Sequence, residues 1–381
     1  MKRALIFAHT ASMIFQFNME NIKTLQAMGY EVDVACNPEE GNSMPPQKIQ
    51  EMKQQLVQMG VTFHQLPVPR KVTAIGRIIK SVGLARKLMN ERQYDLIHCH
   101  SPVGSVVCRT ANRLSKGYGK TRMLYTAHGF HFYKGAPIAN WLILYPVEWV
   151  CSHWTDTLIT INREDYALAC RKMKAKQVEY VPGVGIDIDA FAAAPVDRAE
   201  IRRQLDVPED GIVLLSVGEL NENKNHETVI RALGQLNRKD VYYAVAGQGA
   251  KKEALEQLAE SLGIGERVQL LGFRRDIRQL CKSVDVFVFP SYREGLSVAL
   301  MEAMAASKPV VCSRIRGNTD LIDEGGGILF DPHSIESCRA ALEQILQADR
   351  TALGQYNGEK VKNFSLPAVQ AKMREIYSFE K

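Results

Sequence analysis

Residues 284–289 (VDVFVF) form an almost unbroken apolar run that stops at Pro290. After a short loop, Ser297 opens a stretch of strong helix formers, VALMEAMAA. A run without polar alternation needs cover on both faces, and a strand receives that cover inside a parallel sheet flanked by helices. The order is strand, tight loop, helix, which confines this half of the chain to an α/β fold. Gly295 lets the backbone turn or approach a ligand, and Ser297 suits an N-cap. A helix that opens at the carboxyl end of a parallel strand aims free N–H groups at the crevice where such sheets keep ligands, a setting for phosphate. Glu294 precedes that helix and Glu302 lies inside it. A carboxylate accepts hydrogen bonds from two neighbouring hydroxyls, so the pair fits two sugar rings flanking a pyrophosphate. Two ordinary surface glutamates would give the same spacing.

The chain begins with the same rhythm. Residues 3–8 (RALIFA) read as a strand, 19–28 as part of a helix closed by Gly29, and 31–36 (EVDVAC) as a second strand. This is a strand–helix–strand unit with a right-handed crossover. The loop expected between them, HTASMIFQF, has no glycine, so it is neither a dinucleotide nor a P-loop fingerprint. Thr10 and Ser12 are open to two readings there, ligand contact on the acceptor side or capping of the helix.

Residues 66–93 carry seven basic residues between Arg70 and Arg92 against one acid, Glu91, with apolar residues at helical spacing. A basic amphipathic helix can lie on an anionic bilayer. It can also be a surface helix whose apolar stripe faces its own domain, while Arg70, Lys71, Arg77 and Lys80 face lipid head groups. Residues 94–98 (YDLIH) form the next strand, and HCHSP brings His98 and His100 to one face of it. No third ligand accompanies them, so a structural or acceptor-side role is expected rather than a metal. Residues 122–127 (RMLYTA) lead to His128 at a strand's carboxyl end, with His131 as the next candidate. Residues 137–150 (PIANWLILYPVEWV) are interrupted by Pro146 and Glu148 and read as a packed helix, too short to span a membrane.

The Pro/Gly/Asp-rich segment PGVGIDIDAF reads as a hinge. Beyond it, residues 211–217 (GIVLLSV) form a buried strand ending at Gly218, and the loop ELNENKN places Lys224 to put an ammonium on a phosphate, with Asn225 as a helix cap. Strand-like VYYAVA and VQLL follow, and the tail from residue 364 ends in a helix.

At 381 residues the chain holds two domains. Its +6 formal charge is too modest for a nucleic-acid binder. Eight scattered cysteines without metal spacing fit reduced thiols, and the amino terminus shows no leader cleavage pattern. A cytoplasmic protein is expected, peripheral on the membrane's cytoplasmic face.

EGLSVALME with the preceding PS, together with TAHG, SVGELNENKN, LGFRRDI and IRGNTDLI, resembles the family-four retaining glycosyltransferases of GT-B architecture, and most of the chain shares the likeness. Bacterial members that extend capsule, exopolysaccharide or lipid-linked oligosaccharides are the most similar. The resemblance implies two doubly wound Rossmann-like domains facing a cleft, with an acceptor-side domain over 1–190, a nucleotide-sugar domain over 191–364, and a helix over 365–381 crossing back. It implies transfer of a hexose or N-acetylhexosamine from a nucleotide sugar, by family habit UDP-linked, to a polyprenyl-diphosphate-linked glycan, without a metal or cofactor. The catalytic set would be His128, Glu294 and Lys224. Glu302 would hold the ribose, and Lys224 with Gly295, Leu296, Ser297, Val298 and Gly218 the diphosphate. Phe273 and Arg274 would line the nucleobase pocket. The chain departs from the family twice: the first loop lacks the usual Gly-Gly pair, and Glu219 stands where an arginine is usual. Arg274, Arg293 or Arg316 would have to replace that charge. A sugar-nucleotide epimerase of the same architecture and a non-catalytic nucleotide-sugar scaffold are the alternatives.

Overall fold

The computed structural model describes residues 1–379. The last two residues of the expected 365–381 tail, Glu380 and Lys381, lie outside them. The chain divides into two compact units, Met1–Pro182 joined by the chain from Val369 onward, and Gly183–Ala368. The division falls between Pro182 and Gly183, at the start of the Pro/Gly/Asp-rich segment rather than at 190/191.

The first unit runs β1 (Lys2–Thr10), α1 (Ala11–Phe17), α2 (Met19–Ala27), β2 (Tyr30–Asn37), α3 (Pro46–Gln58), β3 (Thr62–Gln65), α4 (Ile75–Arg92), β4 (Leu96–His100), α5 (Pro102–Arg113), β5 (Arg122–Ala127), α6 (Ile138–Ser152), β6 (Thr157–Thr160), α7 (Arg163–Lys172) and β7 (Gln177–Tyr180). Its sheet is parallel, in the order β3-β2-β1-β4-β5-β6-β7, so the chain reverses its direction of travel across the sheet between β1 and β4. Both faces are covered. Along β1, Ala4, Ile6 and Ala8 enter one core cluster while Leu5 and Phe7 enter the other, which is why the strand carries no polar alternation.

The second unit runs α8 (Ile188–Ala193), α9 (Arg198–Gln204), β8 (Ile212–Val217), α10 (His226–Gln235), β9 (Val241–Ala246), α11 (Lys252–Ser261), β10 (Val268–Gly272), α12 (Ile277–Ser283), β11 (Val286–Phe289), α13 (Val298–Ala305), β12 (Val310–Ser313), α14 (Asn318–Leu321), β13 (Gly327–Phe330), α15 (Ile335–Gln347) and α16 (Arg350–Lys360), and only the first three residues of α17 (Leu366–Ser378) lie in it. Its parallel sheet is ordered β10-β9-β8-β11-β12-β13, with the reversal between β8 and β11. The VFVF of β11 alternates between cores: Phe287 and Phe289 pack on one side, Val286 and Val288 on the other. From Val369 onward, α17 belongs to the first unit, where Val369, Met373, Ile376 and Tyr377 join the cluster of Ala4 and Ile6.

Four local expectations need correction. The segment after β1 is not a loop: α1 starts at Ala11, because Thr10 is extended and its hydroxyl accepts from the Met13 N–H. The basic helix begins only at Ile75, so Arg70 and Lys71 precede α4. Its apolar stripe is split, since Ile78 and Val82 pack inward while Ile75 and Ile79 are exposed. Finally, α6 is not fully packed. Trp141, Leu144 and Tyr145 join the core, but Ile138, Leu142, Ile143 and Val147 face outward. No helix among the described residues is long and apolar enough to cross a membrane.

Candidate active site

In the second unit, the carboxyl ends of β8 and β11 flank the point where strand order reverses, the place where open α/β sheets keep ligands. Two loops meet there. The loop after β11 leads to α13, whose N-cap Ser297 accepts from the Leu300 N–H at 3.3 Å. The first helical backbone bond runs from the Met301 N–H to the Ser297 carbonyl at 3.2 Å, so the N–H groups of Val298 and Ala299 lie ahead of it. The loop after β8 is tied to the other one: Tyr292 N–H donates to the Asn223 carbonyl at 2.8 Å, and the Asn223 amide donates to the Arg293 carbonyl at 3.0 Å.

That knitting brings Lys224 onto Glu294. The ammonium donates to Glu294 Oε1 at 2.7 Å and stands 4.8 Å from the centre of the Phe289 ring, with both charged side chains largely buried. The Lys224 stem lies over Gly218, where an added Cβ would come within 3.3 Å of Cδ and Cε. The carboxylate expected on the sugar and the ammonium expected on the phosphate thus answer each other in the structure. The structure also changes the role of Asn225. It occupies the N-cap position of α10 in a left-handed conformation (φ 53°) and makes no capping bond. Its amide instead donates to the carbonyls of Pro290 and Pro332, each at 3.1 Å.

Burial raises the Glu302 carboxyl on α13 to about 7, against an opposing pull from Arg278. The three arginines that could replace the charge missing at Glu219 part company here. Arg274 is committed to Asp276, Arg293 points to solvent, and buried Arg316 donates to the Glu294 carbonyl at 3.2 Å. Gly317, next in chain, has φ 78°, and a Cβ there would fall 2.1 Å from the Gly295 carbonyl oxygen. The glycine of IRGN is thus required by the EGLS loop it presses on. Phe273 is 67% exposed, a surface ring rather than a buried pocket wall.

In the first unit, His128 directly follows β5, with its Nε2 3.2 Å from Nδ1 of His100, and burial lowers its pKa to about 4. His100 is lowered well below the usual range for the same reason, and then by His98. Both imidazoles are neutral at ordinary pH. His98 is structural: its ring nitrogens meet the Tyr377 hydroxyl at 2.8 Å and Thr126 Oγ1 at 2.7 Å. Between His100 and α5, Ser101 adopts φ 67° and ψ 150°, a conformation strained for a residue with a Cβ and unmarked in the sequence. Thr10 caps α1, and Ser12 Oγ accepts from the N–H groups of Ser43 and Met44, so both acceptor-side candidates serve local structure. His131 is exposed. The proposed lipid-facing set is also uneven: Arg77 pairs with Glu40 at 2.6 Å, and the Arg70 stem lies by Gly41 and Thr10.

Two parallel-sheet Rossmann-like units, each with one reversal of strand order, have the layout of the GT-B class. Comparison with known proteins fixes the family. Residues 197–360 match Glycosyl transferases group 1, and residues 16–183 match the Glycosyl transferase 4-like domain. The chain is 33% identical to the putative glycosyltransferase EpsD of Bacillus subtilis (strain 168), over 99% of this chain and 97% of that protein. It is 28% identical, over 70% of each, to the Escherichia coli UDP-Gal:alpha-D-GlcNAc-diphosphoundecaprenol alpha-1,3-galactosyltransferase. The fold matches that of Anabaena Alr3699/HepE solved with UDP, with a TM-score of 0.77 and 19% identity over 99% of this chain and 100% of that one. The chain belongs to the group 1 glycosyltransferases, and it is a glycosyltransferase of GT-B fold.

Proposed function

We propose that this glycosyltransferase moves a hexose or N-acetylhexosamine from a UDP-sugar, with retention at the anomeric carbon, to a sugar carried on a polyprenyl diphosphate. The reaction would serve surface polysaccharide synthesis at the cytoplasmic face of the membrane. The observation that carries the reading is the Lys224–Glu294 pair at the mouth of α13, with Glu302 further along the same helix. The relative that acts on GlcNAc-diphosphoundecaprenol supports the acceptor class, and the fold neighbour solved with UDP supports the base.

A sugar nucleotide already carries a good leaving group, so the protein's task is to stabilise departing diphosphate and align the acceptor. Lys224 and the Val298 and Ala299 N–H groups would take the diphosphate, with Arg316 in place of the missing family arginine. These fixed positive groups do the work a metal would do, and the reaction is proposed to be metal-independent. Glu294 would accept from hydroxyls of the transferred sugar, Glu302 from the ribose diol. Phe273 and Arg274 would meet the base through their backbone. His128, neutral and coupled to His100, is assigned to the sugar near the reacting carbon. In the front-face step the anomeric C–O bond to the β-phosphate breaks as the acceptor oxygen bonds to the same face. The acceptor proton passes to the departing phosphate oxygen, so no carboxylate nucleophile is required.

The test is a thermal-shift screen of UDP, GDP, ADP and their sugars, with and without EDTA. A ligand at 100 times its Kd adds ~2.7 kcal/mol, a visible shift. A shift with UDP that survives EDTA and disappears in Glu302→Ala supports the site. A shift with GDP alone would change the base. Conversion of a UDP-sugar to its epimer without acceptor would replace the transfer reading, and no shift with any nucleotide would remove the donor site.

A further inference from the structure

A concave groove of about 440 Å³ opens in the first unit, walled by Ile75 and Ile78 of α4, Val106 of α5, and Ile143 and Val147 of α6, and floored by Phe130. It lies wholly within that unit. Its acidic wall residue, Glu148, is already answered by buried Arg109 at 2.7 Å, so the groove offers no unpaired carboxylate. A volume of that size suits a small amphiphile's apolar part.

Three features say what kind of chain would occupy it. The lining stretch 129–132 follows His128 directly, so the groove starts one residue from the group assigned to the reacting end. Lining residues Val72 and Thr73 follow Arg70 and Lys71 in the chain, the Arg70 stem lies by Gly41, and His9 near the carboxyl end of β1 is lowered to about 4 by burial first and by Arg70 second. Positive charge therefore stands beside one end of an apolar trough. On α6 and α4, which wall the groove, Ile138, Leu142 and Ile79 lie outside its lining and are 76%, 72% and 67% exposed, an unusual apolar surface for a helical layer. A polyanionic head, a trough and an apolar exit describe the order of groups in a lipid diphosphate.

We propose that this groove binds the first part of the isoprenoid chain of the lipid-diphosphate acceptor, with Arg70 and Lys71 on its diphosphate and the outer face of α6 where the chain leaves the protein. The assignment rests on the acceptor class given above. Burying even one aliphatic side chain's worth of hydrocarbon corresponds to roughly tenfold in affinity or more.

The test uses the full chain with saturating UDP, so that the donor site is filled, and titrates farnesyl diphosphate against inorganic diphosphate by calorimetry. The expected result is at least about tenfold tighter binding of farnesyl diphosphate, and loss of that preference in Ile75→Ser/Ile143→Ser. Both positions are mostly exposed, so the fold tolerates the change. Equal binding of the two probes by the wild type, or a preference that survives the double substitution, overturns the proposal. So does a variant that leaves phosphatidylglycerol vesicles while keeping the probe preference, which would make the face a bilayer contact only. A wild-type dimer that becomes monomeric in the variant, with no farnesyl preference in either, would assign the face to a second copy. The donor reading depends on nucleotide shifts alone, so either can fail without the other.

Discussion

Glu302→Gln separates the ribose-binding reading from a merely buried glutamate. Burial raises this carboxyl from 4.5 to about 7, which is roughly 2.5 units and ~3 kcal/mol at 1.36 kcal/mol per unit. Water reaching the partly open side chain screens some of that, leaving about 2 kcal/mol. The sign follows from linkage. Below pH 4.5 the group is protonated in both folded and unfolded chains and contributes nothing. Between 4.5 and about 7 the unfolded chain gives up its proton while the folded one keeps it, so stability falls as pH rises, and the penalty is constant above 7. The amide has no such proton, so Glu302→Gln should equal the wild type at pH 4 and exceed it at pH 8. For a unit of this size the gain is about 4–8 °C in melting midpoint. Nucleotide binding should move the other way. Ribose hydroxyls donate to the ionised carboxylate, so UDP binding near pH 6.5 releases a proton in the wild type and not in the variant, and the variant binds more weakly. Calorimetry in buffers of differing ionisation heat reads the proton directly. A melting difference independent of pH would refute the burial argument, and undiminished UDP affinity in Glu302→Gln would refute the ribose assignment.

Other substitutions probe the frame. Gly317→Ala forces a Cβ against the Gly295 carbonyl at φ 78°, and should cost roughly 1–3 kcal/mol and weaken UDP binding through the displaced EGLS loop; wild-type values for both would refute it. Arg109→Leu strands Glu148 in the core and should destabilise the first unit by about 3–5 kcal/mol, whereas Arg109→Leu/Glu148→Leu should recover most of that in a urea melt. Lys224→Ala should lose most of kcat/KM while its circular dichroism is unchanged, and a near wild-type rate would remove it from the site. His128→Ala should lower kcat with UDP affinity retained, and equal loss of both would argue for a structural role.

Much of the fold was legible because both sheets are covered on two faces, so strands such as VDVFVF read as unbroken apolar runs. The misread places are those where a tertiary partner decides. Nothing local distinguishes HTASMIFQF as a loop from HTASMIFQF as a helix until Thr10 is seen capping Met13. The outward face of α6 has the composition of a core helix, and the part of its surface left without a neighbour is a property of packing. At the site, the Glu-x7-Glu spacing located the loop but not its electrostatics. Lys224 and Glu294 are 70 residues apart and meet only because the loops after β8 and β11 are tied through Asn223. Likewise the contact of Arg316 with the Glu294 carbonyl joins residues 22 positions apart and is not encoded locally.

That pairing has a consequence for how charge is distributed during turnover. In the resting site Lys224 is neutralised by Glu294, so an incoming diphosphate meets a cation already shared with a carboxylate. Two unit charges 4 Å apart interact by about 4 kcal/mol at an effective dielectric of 20, so even a fraction of that repulsion is measurable in binding. Glu294→Gln keeps the shape and removes the competing charge. It should therefore bind UDP, which lacks the sugar, several-fold more tightly than the wild type, while turning over the UDP-sugar far more slowly because the hydroxyl acceptor is weakened. Tighter product binding with slower transfer is the opposite of what a simple binding residue produces, where both fall together. Paired titration and rate measurements on the one variant decide it. If UDP affinity is unchanged or weaker, Glu294 does not oppose the diphosphate, and the resting pair is a structural tie between two loops rather than a charge held ready for the sugar.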